Sequence, residues 1–150
     1  MLGAAGAAAL APALAANGSL TVTNLLRNEL DAESAKMLAE VAKQRGISLC
    51  GIQRDQTTAD FSSQGLKPPD AILLASDLSQ AGVTGSLTAA LDLSSNKLKD
   101  ESVSAVCQAI QSNKETKLAS LHFRNNEIGP VGANAVAAMV AVTGACDSGL

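Results

Sequence analysis

Few side chains in this sequence could support catalysis. His122 is the single histidine, so any Ser–His or Cys–His nucleophilic chemistry would have to pass through it. The sequence contains no GxSxG motif, which would supply a nucleophilic serine for that histidine to activate. Cys107 stands where the corresponding segments carry Ala, so we expect a buried small side chain. Cys50 and Cys146 are either two thiols or a disulfide, and the odd number of cysteines favours a reducing compartment. We expect no enzymatic activity.

Two aspartates and the histidine recur at related positions. Asp60, Asp92 and His122 each stand near the end of a short apolar–polar alternation. On neighbouring strands, about 4.8 Å apart, two carboxylates could share a cation or shift each other's pKa. The alternative is a set of exposed charges on adjacent strands, and this is favoured because three side chains are the most that could act as ligands. We therefore expect no metal and no cofactor.

Composition narrows the class of protein. The chain has 150 residues, a formal net charge of −3, 47% hydrophobic and 17% charged residues, and only 1% aromatic residues. This length suits one domain. The chain is too apolar to be disordered, and no apolar run reaches the roughly 20 residues that span a membrane. The acidic balance argues against binding to nucleic acid, for which a basic face is expected.

An internal repeat organises the chain. Five segments align with one another when they are started near residues 2, 30, 66, 98 and 128. Apolar or small residues then fall five, eight, nine and twelve positions after each start. This is the i, i+3, i+4, i+7 spacing of one helix face. The pattern predicts one amphipathic helix in every repeat.

A short segment with a different period precedes four of these helices. The clearest examples are 118–128 (LASLHFRNNEI) and 91–98 (LDLSSNKL), and 25–30 and 59–66 are weaker versions. Apolar residues two positions apart indicate a short strand with one buried face. An Asn or Gln stands two residues before each helical segment, where its amide can bond backbone groups of neighbouring turns.

This alternation resembles the leucine-rich repeat of the ribonuclease-inhibitor type, whose pattern LxxLxLxxNxL is followed by a helix. The resemblance covers roughly residues 2–142 of a single domain, 1–150. It implies a short α/β solenoid with parallel strands on the concave side and helices on the convex side. Residues 47–57 fall outside the repeat and are interpreted as an inserted loop or an extra strand. Residues 143–150 form a tail without a clear capping helix.

The resemblance also implies a function. In this family, strand residues between the buried positions point outward on the concave face and bind protein partners. We therefore expect a non-catalytic interaction module with another protein as its partner, and neither nucleic acid nor membrane. The predicted partner-binding residues are Asn24, Arg27, Asp60, Asp92, His122, Arg124 and Asn125. The alternative is a structural subunit of a larger assembly, whose uncapped ends stack on another chain.

The first 16 residues, which are apolar and Ala-rich, allow two interpretations. A signal peptide would need a basic segment at its start, and the first basic residue is Arg27. The same pattern recurs later in the chain, which a signal peptide does not do. We therefore interpret residues 1–16 as a repeat helix and expect a cytoplasmic protein.

Overall fold

The computed structural model describes residues 2–115, 117–143 and 146–147. The helices are α1 (Gly3–Ala16), α2 (Ala32–Arg45), α3 (Pro68–Leu78), α4 (Ala81–Thr84), α5 (Asp100–Ser112) and α6 (Pro130–Thr143); the strands are β1 (Thr58–Asp60), β2 (Ala90–Asp92), β3 (Ser120–His122) and β4 (Cys146–Asp147). Within these ranges, no helix is long and apolar enough to cross a membrane. Most of the predicted tail, 143–150, lies outside the described residues.

The four strands form one parallel sheet in the order β1-β2-β3-β4, so strands that follow each other in the chain are neighbours in space. Parallel neighbours need a crossover connection, and the helices supply it. The helices pack in the same order: α1 on α2, α2 on α3, α3 on α5 and α5 on α6. The predicted α/β fold with a parallel sheet is confirmed at this level of detail.

The core lies between the helices and the sheet and follows the predicted spacing. Eight residues after their repeat starts, Leu38, Leu74 and Val106 are buried completely or almost so. The sheet contributes the central residues of its strands, among them Leu91 and Leu121, which stand in register and are fully buried. Each buried aliphatic side chain contributes about 1.5–3 kcal/mol of hydrophobic stabilisation. Packing between the two layers therefore holds the repeats together.

Local signals set where the helices begin and end. The Asp31 carboxylate accepts a hydrogen bond of 2.7 Å from the Ser34 N–H, which caps the start of α2. Gly46 follows α2 with φ +67°, the left-handed conformation that ends many helices. Pro68 and Pro69 open α3, where a first turn needs no N–H donor.

Residues 47–52 form an extended segment that lies beside residues 21–25. The bridged pairs are Val22 with Ser48 and Asn24 with Cys50. The buried side chains of this segment include Ile47, Leu49 and Ile52. These residues, which fall outside the repeat pattern, are therefore a paired and buried part of the fold. The chain reaches β1 only after a turn at residues 53–56.

Candidate functional site on the outward face of the sheet

Three polar side chains form a row across the outward face of the sheet. Asp60 on β1 stands in register with Asp92 on β2, and Asp92 with His122 on β3. Each follows a buried residue on its strand, so its side chain points away from the core. Asp60 is exposed, and the other two are half-buried. We call these three residues the outward row.

Both aspartates are held in place by the serine two residues later. Oδ1 of Asp60 accepts hydrogen bonds from the Ser62 N–H (2.9 Å) and hydroxyl (2.6 Å). Oδ1 of Asp92 accepts the same pair from Ser94. In the first pair, the Ser62 hydroxyl and then its N–H lower the pKa of Asp60. Asp60 therefore presents a negative charge at neutral pH.

His122 makes its own local contact. Its Nε2 lies 2.9 Å from the Ser120 hydroxyl, two residues earlier on the same face of β3. This contact fixes the imidazole across the strand and leaves Nδ1 for another partner. Among the described residues, no group of three His, Cys, Asp or Glu side chains could hold a metal ion.

The turns that follow residues 21–25, β1, β2 and β3 repeat an uncommon backbone conformation. Arg27, Ser63, Ser95 and Asn125 occupy equivalent places and have φ between 55° and 62°. Left-handed backbone is unfavourable for residues other than glycine, so its recurrence shows that the turn itself repeats. All four are exposed. The Arg124 carbonyl accepts from the Ser95 N–H at 2.7 Å, and Asn125 Nδ2 donates to the Ser95 hydroxyl at 3.4 Å, so these three residues lie together just after the strands that carry the outward row.

Two of the predicted residues lie apart from the outward row. Asn24 stands opposite Cys50, not opposite Asp60, because residues 47–52 pair with this part of the chain. Its Oδ1 accepts a hydrogen bond from the Leu26 N–H. Arg27 donates its backbone N–H to the Asp70 carboxylate and lines a depression of about 300 Å³. The structure thus brings together Asp60, Asp92, His122, Arg124 and Asn125, and places Asn24 and Arg27 at one end.

Asparagines on the inner side of the turns hold neighbouring repeats in register. Asn96 is buried, and its Oδ1 accepts from the Gln64 and Leu66 N–H groups of the preceding repeat. Asn126 repeats the arrangement: its Oδ1 accepts from the Leu98 N–H. These bonds satisfy backbone groups inside the stack and fix the spacing of the strands.

The most buried acid among the described residues was not among the residues predicted to be functional. Asp77 on α3 is fully buried and accepts hydrogen bonds from the Ser48 hydroxyl (2.7 Å), the Leu49 N–H (2.8 Å) and the Cys50 N–H (3.1 Å). It therefore ties residues 47–52 to α3. The sequence does carry a signal: Asp77 is the one charged member of an otherwise apolar repeat column. The column consists of Ala13, Val41, Asp77, Ala109 and Met139.

Asp77 should make the protein more stable in mild acid. Burial raises its pKa from 3.8 to about 6. Between these two values, the folded state holds a proton that the unfolded state releases. The stabilisation is therefore fully present below the unfolded pKa and is lost as pH rises through the folded pKa. We expect the free energy of unfolding in urea to be about 1 kcal/mol larger at pH 5 than at pH 7.

Circular dichroism would follow this transition at both pH values. The matched control is Asp77→Asn, which cannot titrate and should show a much smaller difference between the two conditions. A wild-type stability that stays constant or falls from pH 7 to pH 5 would contradict the prediction.

Comparison with known proteins points to the class that this geometry suggests. A family model described as "Leucine Rich repeat" matches residues 90–107 and 114–137. The first range runs from β2 into α5, and the second runs from just before β3 into α6. These matches support a leucine-rich repeat protein, a class that generally mediates protein–protein interaction and is generally non-catalytic. No curated protein matches the chain.

Proposed function

We propose that this chain is a short solenoid of the ribonuclease-inhibitor type that binds a protein partner, without catalysis, through the concave face of its sheet. The observation that carries the proposal is the outward row. Parallel register lines up Asp60, Asp92 and His122 on the outward face of the sheet, where Asp60 is exposed and the other two side chains are half-buried. Polar side chains fixed on adjacent strands form a rigid recognition surface.

The chemistry of this surface indicates what the partner presents. Oδ2 of Asp60 and of Asp92 has no hydrogen-bond partner among the described residues, so each carboxylate keeps one oxygen for an external donor. Arg124 is exposed, and its planar guanidinium suits a carboxylate. We therefore infer a partner with a basic group opposite the aspartates and an acidic group opposite Arg124. Such complementarity fixes orientation and excludes wrong partners.

We place this activity in the cytoplasm. Cys50 is a buried thiol outside any disulfide, and burial, followed by the nearby Asp77 charge, raises its pKa well above the usual range. The thiol therefore stays protonated and unreactive at neutral pH. Because Cys50 is a free thiol, it forms no disulfide with Cys146, and this agrees with a reducing compartment.

The test compares two charge-matched triple variants in affinity capture from cell extract. The concave variant is Asp60→Asn, Asp92→Asn and Arg124→Gln, which keeps the side-chain oxygens that accept from Ser62 and Ser94. The control is Glu33→Gln, Lys36→Gln and Glu40→Gln on the exposed face of α2. Each variant removes two acids and one base, so net charge changes equally.

We expect that wild type and the α2 variant capture the same protein. The concave variant should capture at least about tenfold less of it, since paired charges at an interface carry a few kcal/mol. Circular dichroism should show all three folded. A protein that the concave variant retains as well as wild type does, or that only the α2 variant loses, would overturn the proposal.

A further inference from the structure

The extended residues 20–25 use only one of their two edges. On that edge, the Thr21 carbonyl accepts from the Ser48 N–H at 2.9 Å, and the Thr23 N–H donates to the Ser48 carbonyl at 2.9 Å. The Leu25 N–H donates to the Leu49 carbonyl at 2.8 Å. The backbone N–H and C=O groups of the odd-numbered residues therefore point toward residues 47–52.

The other edge is open. The backbone N–H and C=O groups of Val22 and Asn24 make no hydrogen bond within the part of the chain that the structure describes. Alternate residues of a strand direct these groups to opposite edges, so the open groups form one row. Thr21 and Asn24 are exposed, which leaves the row accessible. A row of unpaired donors and acceptors is a template for another strand.

This edge lacks the features that usually prevent strands from pairing. Lysines, prolines and bulges protect most edge strands, yet residues 17–26 (NGSLTVTNLL) contain no charge and no proline. α1, which packs on α2, is also uncharged, and its exposed residues are mostly Ala. By contrast, α2 carries six charged side chains, namely Glu33, Lys36, Glu40, Lys43, Arg45 and the capping Asp31.

We propose that a second copy of this chain occupies the open edge. The backbone groups of Val22 and Asn24 would pair with the same segment of the second copy, and the two segments would run antiparallel about a two-fold axis. The paired residues 20–25 of both copies are uncharged, so they bring no like charges together and need no buried ion pair. Arg45 lies beside the start of the segment, where it donates to the Asn17 carbonyl at 2.8 Å. The sheet would continue across the axis, with α1 beside its symmetry mate. Small side chains on both helices permit close approach. The exposed residues of α1 and of residues 20–25 would form the contact, since Ala7, Ala11 and Leu14 of α1 are already buried in the core.

The mass of the protein in solution tests this directly. Light scattering with refractive-index detection suits a chain without Trp or Tyr. We expect a mass that rises with concentration from 15.1 kDa to twice that value and then stops. Val22→Pro removes the open N–H, which no bond inside the described fold uses, and should keep the protein monomeric. Thr21→Lys, an exposed substitution that guards the edge, should do the same.

The matched control is Thr88→Lys, an exposed threonine just before β2, which should dimerise as wild type does. Amide exchange gives an independent measurement: protection of the Val22 and Asn24 N–H groups should increase with protein concentration. A monomer at every concentration, or a Thr21→Lys variant that dimerises like Thr88→Lys, would overturn the proposal. So would a mass that climbs beyond two copies, since a closed two-fold contact cannot do this. None of these substitutions touches the outward row, so this result and that of the capture experiment are independent.

Discussion

Replacing Asp77 by Ala will lower the free energy of unfolding by roughly 3–5 kcal/mol. The carboxylate is fully buried and is the acceptor for the Ser48 hydroxyl and for the Leu49 and Cys50 N–H groups. Truncation leaves these three donors buried without a partner, and each costs about 1–3 kcal/mol. A small cavity adds to the loss. Because a domain is stable by only about 5–15 kcal/mol, this is a large fraction of the total.

Urea denaturation at neutral pH, followed by circular dichroism, measures this loss. Asp55→Ala is the matched control, because Asp55 is an exposed aspartate between the segment that Asp77 holds and β1. The control should change stability by less than about 0.5 kcal/mol. If Asp77→Ala proved equally harmless, residues 47–52 would not be tied to α3 as the structure has them.

Replacing Asn96 by Ala will cost roughly 2–4 kcal/mol. Asn96 is buried and bridges two repeats: its Oδ1 accepts from the Gln64 and Leu66 N–H groups, and its Nδ2 donates to the Phe61 and Leu93 carbonyls. Alanine leaves both sets of backbone groups without their partner. The loss should speed unfolding and weaken the register between β1 and β2.

The same urea experiment tests this prediction, and two further variants sharpen it. Asn134→Ala removes an exposed asparagine from α6 and should be nearly neutral. Asn96→Asp keeps an acceptor but places a second oxygen toward the carbonyls of Phe61 and Leu93, so it should be at least as destabilising as Asn96→Ala. A stable Asn96→Asp variant would mean that donation by Nδ2 contributes nothing.

The repeat pattern was sufficient to predict much of the fold. Leu38, Leu74 and Val106, which occupy the same position in their repeats, are buried because the 3.6-residue period places apolar residues on one face of each helix. The repeat then places these faces in one layer. The period of two likewise selects the outward side chains on the strands. Since equivalent residues of parallel strands stand in register, the pattern also predicts that Asp60, Asp92 and His122 are adjacent.

Residues 47–52 could not be placed from the pattern because they have no counterpart in the other repeats. Their pairing with residues 21–25 joins parts of the chain separated by a whole helix, and no local period reports such a contact. For the same reason the pattern does not show that Asn24, one of the predicted partner-binding residues, lies opposite Cys50. The role of Asp77 depends on this same segment, so it too required the structure.

In the proposed function, the outward face of the sheet, and not the helical face, contacts the partner. Site-specific photo-crosslinking tests this most directly, with a photoreactive side chain at Ser95, beside the outward row, or at Gln108 on α5. Both positions are exposed, and neither is a proposed contact residue. We expect a discrete crosslinked protein from position 95 and none from position 108. Crosslinking of the same protein from position 108 alone would contradict the proposed function.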